Sequence, residues 1–555
     1  MRRPLTRLPG LALATLLVLP ASTPAARADL PPTERAECAG SQELDRFQLL
    51  RRLSLDLRHA LPAYEEYAAL DATTEIPDGL IDDMLASDAF RLVMRRFHEA
   101  LLWPNVTTTQ LTDVSRVIAT LRVNGQLSDR YVSVAAARRK LHRQGTGNET
   151  CGDWLQTDFA ADGKPVTRPV TTGNVTYQED GYVLVHPYWD PTSAIKVCAF
   201  DAQPAATATL ANGQTVDCAT TRSATAQGCG CGPDLRWCYG PATSATILGL
   251  MREQLGRLVD RHTVGGRPYS ELLTTPTTFT NGALAFWKQN LAQMANLTKT
   301  YNERMPVDEP AVANPSFVDT TWTEATRTGA HSGILTLPGY TLRFQTNRGR
   351  ANRFRTVFTH QSFIPPATTT DTDCDPTAAD LTQRCLCRSC HQVLEPLAAA
   401  FGGVAEAGSA VIAGSPLFPT YNKTCDPTTT QNQGKTMSAA CQRFWVSDPA
   451  ARNPGTLIPY QYADIDDPVH AQIATNLAAG PVGVAQDAID KGLVHSAVVQ
   501  HVFRFFMGRE VVLDPGDDAN EIGLLESLTT EFRASDDIRQ LTRAIVALPQ
   551  YRRVR

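Results

Sequence analysis

Five consecutive residues, Cys387-Arg388-Ser389-Cys390-His391, have types and spacing that can act together chemically. Two cysteines separated by two residues and followed at once by histidine form the attachment pattern of a c-type haem. One turn of chain presents both thiols to the two vinyl groups of one porphyrin. The adjacent imidazole then lies beneath the ring, where it can bind iron. The same residues have a second reading. Cys374 and Cys385 lie close by in a chain of 13 cysteines, so a disulfide cluster beside a histidine would present the same pattern. Haem attachment is adopted because the motif is complete and an export signal precedes it.

An iron bound by His391 has a sixth position. Methionine or histidine there gives a low-spin electron carrier, whereas an open position permits peroxide or oxygen chemistry. Met437 is the first candidate, 46 residues beyond His391 in a polar stretch between Cys425 and Cys441. Met507, in the run Phe505-Phe506-Met507, reads better as a core methionine. His331 and His360 lie upstream and read first as hydrogen-bonded structural histidines, as does His98. Arg343, Arg348, Arg350, Arg353 and Arg355 have the fork geometry that pairs with propionates, but a solvated basic face is the expectation for them. The same holds for the short basic run Arg138 to His142.

Residues 1–28 read as a secretory signal: Arg2, Arg3 and Arg7 precede an apolar core from Leu11 to Leu19, and Ala26-Arg27-Ala28 fits the cleavage site. No later stretch has the length and apolarity of a transmembrane helix. The expected location is periplasmic or extracellular, where disulfides form and association with the cell surface stays open. A net charge of −5 over 555 residues argues against a nucleic-acid partner. With Cys387 and Cys390 on haem, 11 of the 13 cysteines remain, an odd number whose pairing sequence alone does not give.

The elements that must position the motif are mostly helical. Leu50, Leu53 and Leu57 share one helix face, and Asp88 is the expected N-cap of a helix carrying Phe90, Val93, Phe97 and Leu101. Leu248, Met251, Leu255 and Leu258 line another, with Asn281 as a further N-cap. Near the end, Val494, Val498, Val502 and Phe505 form one face and Ile538, Leu541, Ile545 and Leu548 a second. After the motif, Leu394, Leu397 and Phe401 form an apolar face suited to a macrocycle, and Pro396 predicts a break in the helix. From Gly145 to Pro241 helical periodicity disappears while Cys151, Cys198, Cys218, Cys229, Cys231 and Cys238 concentrate. That is the composition of a disulfide-stapled strand-and-loop insertion, in which Tyr182 to Val185 reads as a strand.

Several blocks resemble the planctomycete-type, also myxobacterial, exported cytochrome-c-like proteins built from domains of unknown function. They are Arg51-Arg52-Leu53-Ser54-Leu55-Asp56-Leu57 with Leu61-Pro62, Arg267-Pro268 to Thr274, Gly333-Ile334-Leu335-Thr336, Glu395-Pro396-Leu397 after the motif, and Met507-Gly508-Arg509-Glu510. The resemblance implies an exported, haem-bearing chain and no particular reaction. The expected fold is mainly α, with several helical domains, a cytochrome-c-like haem segment and the stapled insertion. Its divisions are signal peptide 1–28, helical domain 29–144, insertion 145–241, helical domain 242–330, haem domain 331–480 and helical domain 481–555. The expected function is electron transfer to an unidentified redox partner protein through one covalent haem c held by Cys387, Cys390 and His391. A haem-dependent redox enzyme with an open sixth position, or a haem-free disulfide-stapled scaffold, are the alternatives.

Overall fold

The computed structural model describes residues 42–553 apart from 108–110, 113, 143–149, 157–158, 162, 220–225, 293–313, 330, 364–373, 379, 405–467, 515 and 517–519. The export signal, Cys38, Cys425, Met437 and Cys441 lie outside the described residues. The chain opens with four helices, α1 (Arg46–Arg58), α2 (Tyr64–Leu70), α3 (Asp78–Ala86) and α4 (Asp88–Leu102). Asp45 starts α1 with a capping box shared with Gln48, and Leu49, Leu50, Leu53 and Leu57 turn one face inward. The cap of α4 is one residue earlier than expected. Ser87 accepts from the Phe90 amide at 3.1 Å, and Asp88 moves into the first turn to pair with Arg91 at 2.6 Å. α4 ends on Trp103, a bulky residue in the left-handed region at φ 46°.

Strands appear before the expected insertion. β1 (Ile118–Val123) and β2 (Gln126–Ser133) form an antiparallel hairpin around Asn124-Gly125, so this part of 29–144 is not helical. Both turn residues have positive φ, which is the backbone that Asn-Gly favours. α5 (Ala136–His142) follows, and its Arg138 and Arg139 are buried rather than solvated. Arg138 sits 3.7 Å from the Asp201 carboxylate, and Arg139 donates to the Ser133 and Val134 carbonyls.

Two hairpins stand apart from the main sheet: β3 (Thr167–Thr172) with β4 (Val175–Asp180), and β7 (Thr207–Thr209) with β8 (Thr215–Asp217). Between them β5 (Tyr182–Val185) and β6 (Ile195–Cys198) join the first hairpin in a four-stranded sheet of order β1-β2-β6-β5. Disulfides Cys151–Cys198, Cys218–Cys229 and Cys231–Cys238 staple this region as its composition predicts.

Helices then return as α6 (Thr243–Thr263) and α7 (Gly282–Phe286), separated by β9 (Thr277–Thr280), which pairs with β10 (Thr323–Thr326). Asn281 caps α7 as expected, accepting from the Leu284 amide at 2.9 Å. The remaining helices are α8 (Pro338–Thr341), α9 (Asn347–Phe358), α10 (Arg388–Ala399), α11 (Pro468–Asp490), α12 (Leu493–Met507), α13 (Ile522–Ser535) and α14 (Ile538–Ala547). One apolar core runs from Leu49 to Tyr551 and takes side chains from both ends of the chain. The ends are fastened to each other: the Leu44 amide donates to the Arg552 carbonyl at 2.8 Å, and the Tyr551 hydroxyl to Asp56 at 2.8 Å.

Two helical expectations change at this level. On α12 the core position belongs to buried Phe506, and Phe505 is exposed. α10 runs through Pro396 to Ala399, because a proline one turn from the end removes a single helical bond and Ala398 and Ala399 are buried beyond it. Helix makes up 48% of the structure and strand 14%, so the fold is mixed and largely helical, with small sheets and four disulfides. Among the described residues no helix is long and apolar enough to cross a membrane.

His98 on α4 belongs to this core. Its Nδ1–H donates to the Met94 carbonyl at 2.7 Å, and its Nε2 accepts from the Tyr269 hydroxyl at 2.8 Å. Burial pushes the imidazole from 6.5 down to about 4. The folded value lies below the unfolded one, so the unfolded chain takes the proton first as pH falls. Stability present above about pH 6.5 is therefore lost progressively toward about pH 4. At about pH 5 the loss from this residue is about 2 kcal/mol. Urea unfolding at neutral pH and at about pH 5 will show His98→Gln losing less stability on acidification than the parent. An equal loss in both proteins rejects this role.

Candidate functional site

The motif begins where a stapled loop meets a helix. The disulfide Cys374–Cys385 closes the loop, the Cys385 amide donates to the Asp375 carbonyl at 3.3 Å, and Arg384 donates to the Ala378 carbonyl at 2.5 Å. The loop is tied to α11 through Asp380, whose carboxylate lies 2.9 Å from Nε2 of buried His470. Leu386 then turns the chain in the left-handed region at φ 66°, and Cys387 occupies the N-cap position of α10. The first helical bond runs from the His391 amide to the Cys387 carbonyl at 3.0 Å. Both thiols thus stand on the first turn of a helix whose entry is fixed from behind.

Among the described cysteines, eight form the four disulfides and two remain thiols, Cys387 and Cys390. Both are partly exposed. Leu386 is 68% and Val393 43% exposed, which leaves apolar surface next to the thiols. Arg355 supplies positive charge near Cys390. Burial lowers its guanidinium from the ordinary value, and the neighbouring sulfur acts in the opposite direction.

His391 is oriented by a buried acid. Its Nδ1 hydrogen-bonds Glu395 Oε1, one helical turn along α10. A carboxylate only accepts, so the proton belongs to Nδ1 and the Nε2 lone pair is left for a ligand. The Glu395 side chain is fully buried, and Arg348 Nε on α9 donates to the same oxygen at 2.7 Å. Glu395 Oε2 has no hydrogen-bond partner among the described residues. Chemically, the cluster offers two nucleophilic sulfurs and one imidazole nitrogen held at a fixed orientation.

A cavity of about 530 Å³ borders α10 between α9, α11 and α12. Gln392, Val393, Pro396 and Leu397 line it, whereas Cys387, Cys390 and His391 do not. At 100° per residue its wall is the helix face opposite His391. The apolar face expected to meet a macrocycle is also largely taken up by protein: Phe401 lies in the core, and Leu394 and Leu397 pack against it.

The other candidate ligands are dispersed. Met437 lies outside the described residues. Met507 is a buried core residue, as expected. His331 is buried and lies 3.4 Å from the Thr336 hydroxyl. The ring of His360 rests against His501 at 4.7 Å between centroids, and His501 Nε2–H donates to the Val357 carbonyl at 2.9 Å. Burial lowers both imidazoles, His501 to about 4.

The arginine segment is not a solvated face. Arg348 serves Glu395, and buried Arg350 donates to the Phe344, Thr341 and Val404 carbonyls. Arg353 stacks on Trp103 at 4.0 Å. Among the described residues no group of three or more His, Cys, Asp and Glu side chains converges as a metal site. Comparison with family models, with curated proteins and with solved structures finds no match to the chain.

Sequence reasoning singled out the thiols and His391 but missed what orients the ring. The four-residue spacing from His391 to Glu395 is a readable signal on a helix. Arg348 is 47 residues away, and no local pattern announces it. Removing one partner of a buried charge pair strands the other, at a cost of about 3–5 kcal/mol. Arg348→Met is therefore expected to lower the unfolding free energy read from urea titration by about that much, and Arg348→Lys by less. Unchanged unfolding of Arg348→Met shows that the Glu395 charge is met otherwise.

Proposed function

We propose that this chain is an exported mono-haem c-type cytochrome-like protein that transfers electrons outside the cytoplasm. The observation that carries the reading is the pair of thiols on Cys387 and Cys390 beside a carboxylate-anchored His391, in a chain whose other described cysteines are all paired. The donor set fits the group. Each thiol would add its S–H across one vinyl double bond, giving two thioethers, and His391 Nε2 would bind the iron. A haem held there supplies one-electron chemistry at iron. Exposed Leu386 supplies apolar surface beside the thiols, and Arg355 supplies a cation near Cys390. The four disulfides belong to an oxidising compartment, consistent with an extracytoplasmic location. The likeness of the flanking blocks to the exported cytochrome-c-like family supports the same reading. Met437 remains the proposed sixth ligand.

One observation favours the second reading, a haem enzyme with an open sixth position. A carboxylate on Nδ1 would make His391 a more basic ligand, and a haem held by it would supply peroxide or oxygen chemistry.

Expression in a periplasm with haem-maturation machinery, followed by peptide mass spectrometry, tests both readings. A covalent haem on the peptide spanning Cys387 to His391 is expected, and Cys387→Ser with Cys390→Ser abolishes it. Free thiols or a Cys387–Cys390 disulfide in that preparation would falsify the haem reading. Sharp low-spin bands after reduction identify the carrier, and Met437→Ala converts them to high-spin where Met437 is the ligand. A high-spin parent spectrum supports the enzyme. Glu395→Gln is expected to raise the reduction potential, because it withdraws negative charge from His391.

A further inference from the structure

We propose that the cavity beside Trp103 binds a ring compound bearing a carboxylate, with the ring laid on the indole and the carboxylate held by Arg343. The cavity has a volume of about 630 Å³ and lies between the end of α4, the middle of α6 and the loop before α9. That size falls within the range of small-molecule sites, about 300–1,000 Å³. Trp103 is 51% exposed on its wall. Arg353 is not part of that wall, yet its guanidinium stands 4.0 Å from the ring centroid, so it backs the indole from behind. The pose of the indole is imposed. Trp103 occupies a left-handed φ of 46° at a helix C-terminus, where glycine or asparagine is the usual residue. Arg343 Nε donates to its carbonyl at 3.1 Å, and Arg353 donates to the carbonyl of Leu101. Strained backbone that presents an aromatic face to an open cavity points to a ligand.

Charge selects the class of ligand. Glu99 is the carboxylate on the wall, and Arg252 holds it through two donors, Nε at 2.7 Å among them. Arg343, also on the wall, forms no ion pair among the described residues, and neither does Arg353. Arg353 Nε has no hydrogen-bond partner among them. The site therefore has an excess of guanidinium around an aromatic face, which suits a flat or CH-rich ring carrying an anion. Space is provided by Gly249, in the interior of α6. A Cβ there would meet nothing within 4 Å, so packing does not require glycine although it weakens the helix. Its absent side chain leaves the cavity floor open.

A uronic-acid unit and an aromatic acid share this chemistry, and calorimetry on the full exported chain distinguishes them. The probes are digalacturonate, benzoate and the methyl ester of each. At least one acid is expected to bind, with its ester at least tenfold weaker. Arg343→Gln should weaken that acid at least tenfold. Gly249→Leu should block it without lowering the thermal midpoint, since the new side chain enters empty space. Trp103→Gly, which suits the positive φ, should also fold and lose binding, and it decides the matter where Gly249→Leu does not fold. The proposal fails if neither acid binds, if acid and ester bind alike, or if a folded Gly249→Leu or Trp103→Gly variant binds as the parent does.

Discussion

The burial of the Glu395 carboxylate constrains the site more than any other interaction. A lone ionised acid in a protein interior is strongly disfavoured, so its surroundings must provide positive charge or donors. Here they come from two places, Arg348 on α9 and the Nδ1–H of His391 on α10 itself. The first contact fixes how α9 and α10 face each other. The second fixes which imidazole nitrogen carries the proton and where the other one points. A single buried charge thus sets helix packing and ligand geometry together, and the thiols on the preceding turn inherit that placement.

The stapled region follows a different logic. Two-stranded sheets such as β3–β4 and β7–β8 bury too little surface to hold themselves together in water. Cys151–Cys198 closes the loop that carries β3–β4, Cys218–Cys229 staples the segment directly after β8 and Cys231–Cys238 the next one, and much of the buried surface beside β8 is sulfur and small side chains. Gly232 shows how tight the packing is. It has φ 76°, and a Cβ on it would lie 2.5 Å from the Trp237 ring, so both conformation and space demand glycine. The same device recurs before the motif, where Cys374–Cys385 stiffens the segment that delivers the chain into α10. Cross-links thus supplement a thin core in the stapled insertion and in the loop before the motif.

Much of that helical body is legible in sequence, because periodicity reports burial directly. The leucines of α1, the face of α6 from Met251 to Leu258 and the valines of α12 lie where their spacing places them. Stapling of residues 145–241 follows from composition in the same way. The hairpin at 118–133 was also encoded, in Asn124-Gly125, but its strands alternate weakly because much of their surface is only partly buried. At Phe505-Phe506 two adjacent aromatics compete for one core position, and spacing alone does not decide between them. Within the site, residue types identify Cys387, Cys390 and His391. Their supports are tertiary: Arg348 meets Glu395, and Asp380 meets His470, only after the chain has folded.

The arginine helix shows why such supports escape a reading by polarity. α9 carries Arg348, Arg350, Arg353 and Arg355, and by composition it looks like a surface helix. Arg348 and Arg355 are seven residues apart, two turns of helix, and share a face that meets α10. One reaches Glu395 and the other the neighbourhood of Cys390, the order expected of two helices running in opposite directions. Arg350 lies well around the helix from that pair, with backbone carbonyls on several sides of it. Arg353 emerges toward Trp103 and backs its ring. Each guanidinium is directed by its partner, so the arginines are placed by acceptors and a π-face around the apolar stripe of Ala351, Phe354, Val357 and Phe358 that meets the core. One short helix therefore braces the thiol–imidazole cluster on one face and the Trp103 cavity on another. A change in its position would be felt at both.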